Sequence, residues 1–105
     1  MFLAPELTEQ IRKAVYSVEP NAKILLYGSY ARGDFHKDSD IDLLVLVKKN
    51  SITLAEEKAI RYSICDVEIA SGKIISPIIR TENKWEERRG ESSLYDSIQN
   101  DGIVI

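Results

Sequence analysis

One cysteine in 105 residues excludes an internal disulfide and points to a reducing compartment, the cytoplasm by default. No apolar run approaches the roughly 20 residues that span a bilayer. The start, Met1-Phe2-Leu3-Ala4-Pro5-Glu6, lacks the basic head and apolar core of a secretory signal. A cytoplasmic chain with no membrane partner is therefore expected. Positive charge is also short: 14 Lys and Arg against 17 Asp and Glu leave a net charge of −3, which argues against a general grip on DNA backbone. Repeats, low-complexity tracts and a Pro/Gly-rich linker are missing. What is present, 44% hydrophobic and 30% charged residues, is ordinary for a folded protein, and the length suits a single domain over residues 1–105.

Periodicity outlines the elements. Over Pro5–Val18, Leu7, Ile11, Ala14, Val15 and Val18 share one helical face, and Pro5 suits a first turn. Residues 24–27 form a short apolar run that stops at Gly28, a buried strand. After a polar, turn-rich stretch, residues 40–47 read as a strand apolar on both faces from Leu43 onward, hence central and covered on both sides. Residues 53–62 look helical. Residues 64–69 admit two readings. Ile60, Ile64 and Val67 continue the helix, whereas Cys65, Val67 and Ile69 alternate with Asp66 and Glu68 as a strand would. The turn signal Ser71-Gly72-Lys73 and the β-branched run 74–79 favour a hairpin about Gly72, and that reading is preferred. Pro77 cannot donate to a ladder, so the last strand belongs at the sheet edge. Thr81 and Ser92 open two short helices, the second ending at Asp101-Gly102. The expectation is an α/β (α+β) fold, a small mixed β-sheet with helices packed on it.

Asp40 and Asp42 stand two apart at the entrance of the most apolar strand, so they point to one side, about 6 to 7 Å apart along the chain. Two such carboxylates are costly unless a cation lies between them, and magnesium prefers one or two carboxylates with substrate phosphates. An isolated Asp-x-Asp is more often a solvated strand end. The preceding residues change that balance. Gly28 permits close backbone approach, Ser29 offers a hydroxyl and an N–H to phosphate, and Arg32, one turn on, can fork onto it.

The stretch Gly28-Ser29-Tyr30-Ala31-Arg32-Gly33, followed by Ser39-Asp40-Ile41-Asp42-Leu43-Leu44-Val45, resembles the signature of the DNA-polymerase-β-like nucleotidyltransferase superfamily, and within it the minimal nucleotidyltransferase (MNT) domains. The resemblance implies that Gly28, Ser29 and Arg32 bind nucleotide phosphates and that Asp40 and Asp42 ligate two Mg2+ ions. It also implies a third carboxylate from a later strand in an apolar-Asp-apolar setting. Asp66 offers this, as catalytic residue and metal ligand, with Glu68 as the alternative. The implied reaction transfers a nucleoside monophosphate, AMP from ATP above other nucleoside triphosphates, to a protein or RNA acceptor. Two metals roughly 3.5 to 4 Å apart would clamp the attacking and leaving oxygens. The family also suggests a HEPN-type protein partner, in a toxin–antitoxin pair with the nucleotidyltransferase as antitoxin, or a homodimer that completes the cleft.

Other residues tempt less. His36 and Lys37 read as solvated loop residues and Cys65 as a core residue, with no histidine near it in sequence. Trp85 and Tyr95 read as packing for the C-terminal helices rather than as base-stacking groups, and residues 86–89 as a solvated helix face. Two other functions compete: a catalytically weak or inactive binding module acting by contact with a partner, and a subunit of a larger polymerase-like enzyme, against which the acidic balance counts.

Overall fold

Strand β2 (Ile41–Val47) organises the molecule because it buries side chains on both faces. In the computed structural model, which describes residues 3–105, Ile41, Leu43, Val45 and Val47 face one layer, where Ile11 and Val15 of helix α1 (Pro5–Val18) and Ile60, Ile64 and Val67 of helix α3 (Leu54–Ser71) close over them. Leu44 and Leu46 face the other way, onto Trp85, Tyr95 and Ile98. A strand covered on both sides can be apolar throughout. Met1 and Phe2, at the head of the stretch read against a secretory signal, lie outside the described residues.

The sheet has the order β3-β2-β1-β4. Strand β1 (Lys23–Tyr27) runs antiparallel to β2 with Tyr27 opposite Asp42, while β3 (Ile75–Thr81) runs parallel to β2 with Ser76 beside Asp42. The sheet is therefore mixed, as expected, and β3 lies at its edge, where Pro77 is tolerated. Strand β4 (Ile103–Val104), which the sequence did not announce, pairs antiparallel with β1. Ile105 N donates to Ile24 O at 3.0 Å beside it. Thr81 and Ser92 cap α4 (Glu82–Glu86) and α5 (Ser93–Asp101) as expected, each accepting a backbone N–H at 3.3 Å. Trp85 and Tyr95 pack with ring centroids 5.1 Å apart. Helix α4 stops at Glu86, so residues 87–89 form an exposed turn rather than a helix face. Among the described residues no helix is long and apolar enough to cross a membrane.

One expectation is overturned. Residues 64–69 are helical and the hairpin about Gly72 does not form: α3 runs 18 residues, to Ser71. Its ends explain why. Thr53 Oγ1 accepts from Glu56 N and Glu56 Oε1 accepts from Thr53 N, both at 3.1 Å, a complete capping box. Gly72, left-handed at φ 72°, is the C-cap and donates to Glu68 O at 2.8 Å. Between these ends the stripe Ile60, Ile64, Val67 is buried as a unit, which outweighs the five-residue alternation of Cys65, Val67 and Ile69 with Asp66 and Glu68. Cys65, expected in the core, is consequently exposed, as is Ile69.

Thr53→Ala is expected to cost about 1 kcal/mol, a fall in Tm of roughly 4–8 °C for a domain of this size, read by thermal melting. The cap also carries a pH signature. Glu56 is held down to about 2 from 4.5, first by Lys49 and then by Thr53. A depressed carboxylate stabilises above its unfolded value and loses that contribution as pH falls through the folded one. The stability gap between wild type and Glu56→Gln should therefore be open at pH 7 and close between 4.5 and about 2.

Candidate active site

Chain alternation decides which groups share a face. Asp40, just ahead of β2, and Asp42 fall on the Leu44/Leu46 side of the strand, away from the layer of α1 and α3. Asp42 lies opposite Tyr27, the last residue of β1, so its carboxylate comes against Gly28. Gly28 adopts φ 73°, ψ −153°, a region open almost exclusively to glycine. A Cβ there would run into Asp42 Oδ2. The glycine-serine bend and the acidic pair, separate in sequence, are adjacent.

From that bend rises helix α2 (Ser29–Arg32), with Ala31 N and Arg32 N both donating to Gly28 O at 3.1 Å. Its first N–H groups, from Ser29 and Tyr30, are those that a helix leaves without an intrahelical acceptor. Tyr30 is buried and stacks on Phe35 at 4.3 Å, which pins the start of the following loop. Arg32 lies at the rim, 3.2 Å from Asp34 and 3.8 Å from Asp101 at the end of α5. His36 and Lys37 are exposed in the loop. His36 serves its turn: its N donates to Ser39 Oγ at 2.9 Å and its Nδ1 accepts from Asp38 N at 3.3 Å.

The electrostatics tie these groups together. Burial pushes the Asp42 carboxyl above its usual range, the neighbouring Asp40 charge pushes it further, and Arg32 partly opposes both. The Tyr27 hydroxyl is raised by burial and then by Asp42. Two mutually repelling carboxylates with hydroxyl oxygens beside them form an all-oxygen donor set suited to a hard divalent cation.

Neither third carboxylate joins them. Helix α3 covers the opposite face of the sheet, so Asp66 and Glu68 are separated from Asp40 and Asp42 by the sheet itself. Asp66 lines a hollow of about 450 Å3 against α1, with Lys13, Ala14, Ser63 and Val67 among its neighbours. Glu68 is engaged structurally: its Oε2 accepts from Ile75 N at 2.9 Å. Among the described residues, no group of three or more His, Cys, Asp or Glu is placed to hold a metal. The polar side chain that does reach the acids went unremarked in the sequence. Ser76 Oγ donates to Asp40 Oδ2 at 3.4 Å, and Ser76 is the one polar residue in the run 74–79.

The chain is similar to known proteins over most of its length. MJ0141 of Methanocaldococcus jannaschii, a candidate protein adenylyltransferase, is 29% identical over 102 residues, 95% of this chain and 96% of its own length. MJ0604 of the same organism, of the same description, is 62% identical over 86 residues, 79% of this chain and 76% of that one. A toxin–antitoxin crystal structure with AMP-PNP shares the fold at a TM-score of 0.62 and 21% identity, over 91% of this chain and 69% of that one. Residues 8–105 match the nucleotidyltransferase domain family. A glycine-serine bend, an arginine one turn on and two aspartates folded back against the bend thus occur in a chain matched over nearly its whole length, and the chain belongs to the nucleotidyltransferase domain family.

Proposed function

We propose that this protein transfers adenylate from ATP to a hydroxyl of an acceptor protein in a magnesium-dependent reaction. The observation that carries the reading is the Asp42 carboxylate against Gly28 with Asp40 in electrostatic range. That arrangement supports a reading in which the two carboxylates would bind a metal beside a triphosphate held by the bend. A protein acceptor is supported by the two archaeal relatives, both described as candidate protein adenylyltransferases. The structural neighbour, a toxin–antitoxin with AMP-PNP, supports an adenine nucleotide and a place in such a pair. A HEPN-type partner would then be the acceptor and this chain the antitoxin.

In this reading Asp40 and Asp42 would hold a divalent cation, whose chemistry when bound would be to neutralise phosphate charge and polarise the α-phosphate. Ser29, through its hydroxyl and N–H, and Arg32, through its guanidinium, orient the triphosphate. They supply position and charge stabilisation rather than a covalent step. The acceptor hydroxyl attacks the α-phosphorus and releases its proton to water, a new P–O bond forms, the α–β bridging P–O bond breaks, and pyrophosphate leaves. Arg32, at the rim and held by Asp34 and Asp101, exchanges those partners for phosphate oxygens. Asp40 is the more exposed of the two acids.

A second reading, a binding module that acts by contact, draws on the absence of a third carboxylate among the described residues. Incubation with Mg2+, α-labelled ATP and the candidate acceptor separates the two. The enzyme labels the acceptor and Asp42→Asn does not. Unlabelled acceptor, with partner binding unchanged in Asp42→Asn, would establish the module. Calorimetry should show Mg·ATP binding, and no heat at millimolar nucleotide would overturn the catalytic reading.

A further inference from the structure

Resting on the reading above, we infer that Ser76 is a positioning residue of the acidic centre, a neutral hydroxyl that aims Asp40 from the sheet-edge side. Adjacent strands lie about 4.8 Å apart, and the parallel register sets Ser76 directly beside Asp42. Ile75 and Ile79 point into the layer of α1 and α3, so alternation turns Ser76 to the face of the acids. Its Oγ reaches past Asp42 to Asp40 Oδ2 at 3.4 Å. Gly28 thus flanks the pair on the β1 side and Ser76 flanks it on the β3 side.

Three local devices hold that hydroxyl in place, although it sits on an edge strand. Pro77 restricts the residue before it to extended backbone, and that residue is Ser76. Glu68 Oε2 takes the N–H of Ile75 at 2.9 Å, and Arg61 Nη1 donates to Pro77 O at 3.3 Å. The side chains of α3 therefore brace the peptide on both sides of Ser76, from the layer opposite the acids. The centre would accordingly hold its cation with two carboxylates, one of them aimed by a hydroxyl, and so carries one negative charge fewer than a three-carboxylate site.

Titration of the full chain with Mn2+, followed by electron paramagnetic resonance, tests this without turnover. Ser76→Ala should weaken Mn2+ binding about tenfold, the lower range for loss of a partner to a ligating carboxylate. Ser76→Thr, which keeps the hydroxyl and suits a strand, should retain wild-type affinity. Ser76→Asp should tighten binding about tenfold or more, since ligand charge sets cation affinity. In turnover, Ser76→Ala should raise the KM for Mg2+ more than it lowers kcat. Equal affinity across wild type, Ala and Asp variants, with Asp42→Asn abolishing Mn2+ binding, would overturn the role of Ser76 and leave the acidic pair intact. Mn2+ binding unaffected by Asp42→Asn would overturn the metal centre and Ser76 with it. If Ser76→Ala melts early, the contrast between Ser76→Thr and Ser76→Asp decides.

Discussion

Replacing Asp42 with Asn is expected to lower nucleotidyl transfer about a thousandfold while raising the melting temperature of the metal-free protein. The loss follows from the role proposed for Asp42: removing a metal ligand forfeits several kcal/mol of charge stabilisation, and each 1.36 kcal/mol is about tenfold in rate. The gain follows from the resting protein. Burial and the Asp40 charge both raise the Asp42 carboxyl above 3.8, so ionising it costs the fold. A raised carboxylate contributes stability that is present below the unfolded value and lost as pH climbs through the folded value. At pH 7 the wild type has lost that contribution, and the neutral amide never does. Asp42 is only partly buried, and solvent screens the effect, so the expected rise in Tm is about 1–3 °C. It should vanish as pH falls below 3.8. Thermal melts at pH 7 and pH 3, with and without Mg·ATP, read the sign. Ligand should stabilise the wild type by mass action and leave Asp42→Asn unmoved. A variant that melts lower than wild type at pH 7 would mean that the carboxylate serves the fold rather than the cation.

The adjacency of the bend and the acidic pair was legible in the sequence because its parts are local. Gly28, Ser29 and Arg32 lie within five residues, Asp40 and Asp42 within three, and one antiparallel turn of the chain brings the two groups together. The face on which a later residue arrives is not local. The pattern around Asp66 fits helix and strand alike, and the choice fell to the capping box at Thr53 and Glu56 and to the left-handed Gly72, features at the two ends of an 18-residue element. Once α3 is a helix, Asp66 and Glu68 belong to the wrong side of the sheet. The polar contribution from β3 passes to Ser76, whose place depends on a parallel register that composition does not display. Cys65 illustrates the same mistake in miniature. Its apolar neighbours suggested burial, yet a helix turns each successive residue about 100°, and Cys65 follows the inward Ile64 onto the solvent side.

Gly28→Ala offers the second large effect, because one methyl group meets two separate obstacles. At φ 73°, ψ −153° a non-glycine residue carries about 1–3 kcal/mol of backbone strain, or roughly 4–24 °C in Tm for a chain of this size. The methyl would also enter the space of Asp42 Oδ2, so the carboxylate must move, and a displacement on the order of 1 Å at a reacting centre costs about a hundredfold in rate. Gly72→Ala separates the two obstacles. That glycine is also left-handed, at φ 72°, but an added Cβ meets nothing within 4 Å, so Gly72→Ala should lower Tm with wild-type transfer and Mn2+ affinity. Gly28→Ala should lose all three. Should Gly28→Ala lose stability yet bind Mn2+ as wild type does, the close approach of bend and carboxylate would be a packing detail. If the metal affinity falls with it, the bend shapes the site, because only a backbone without a side chain lets the second aspartate stand where a triphosphate would need it.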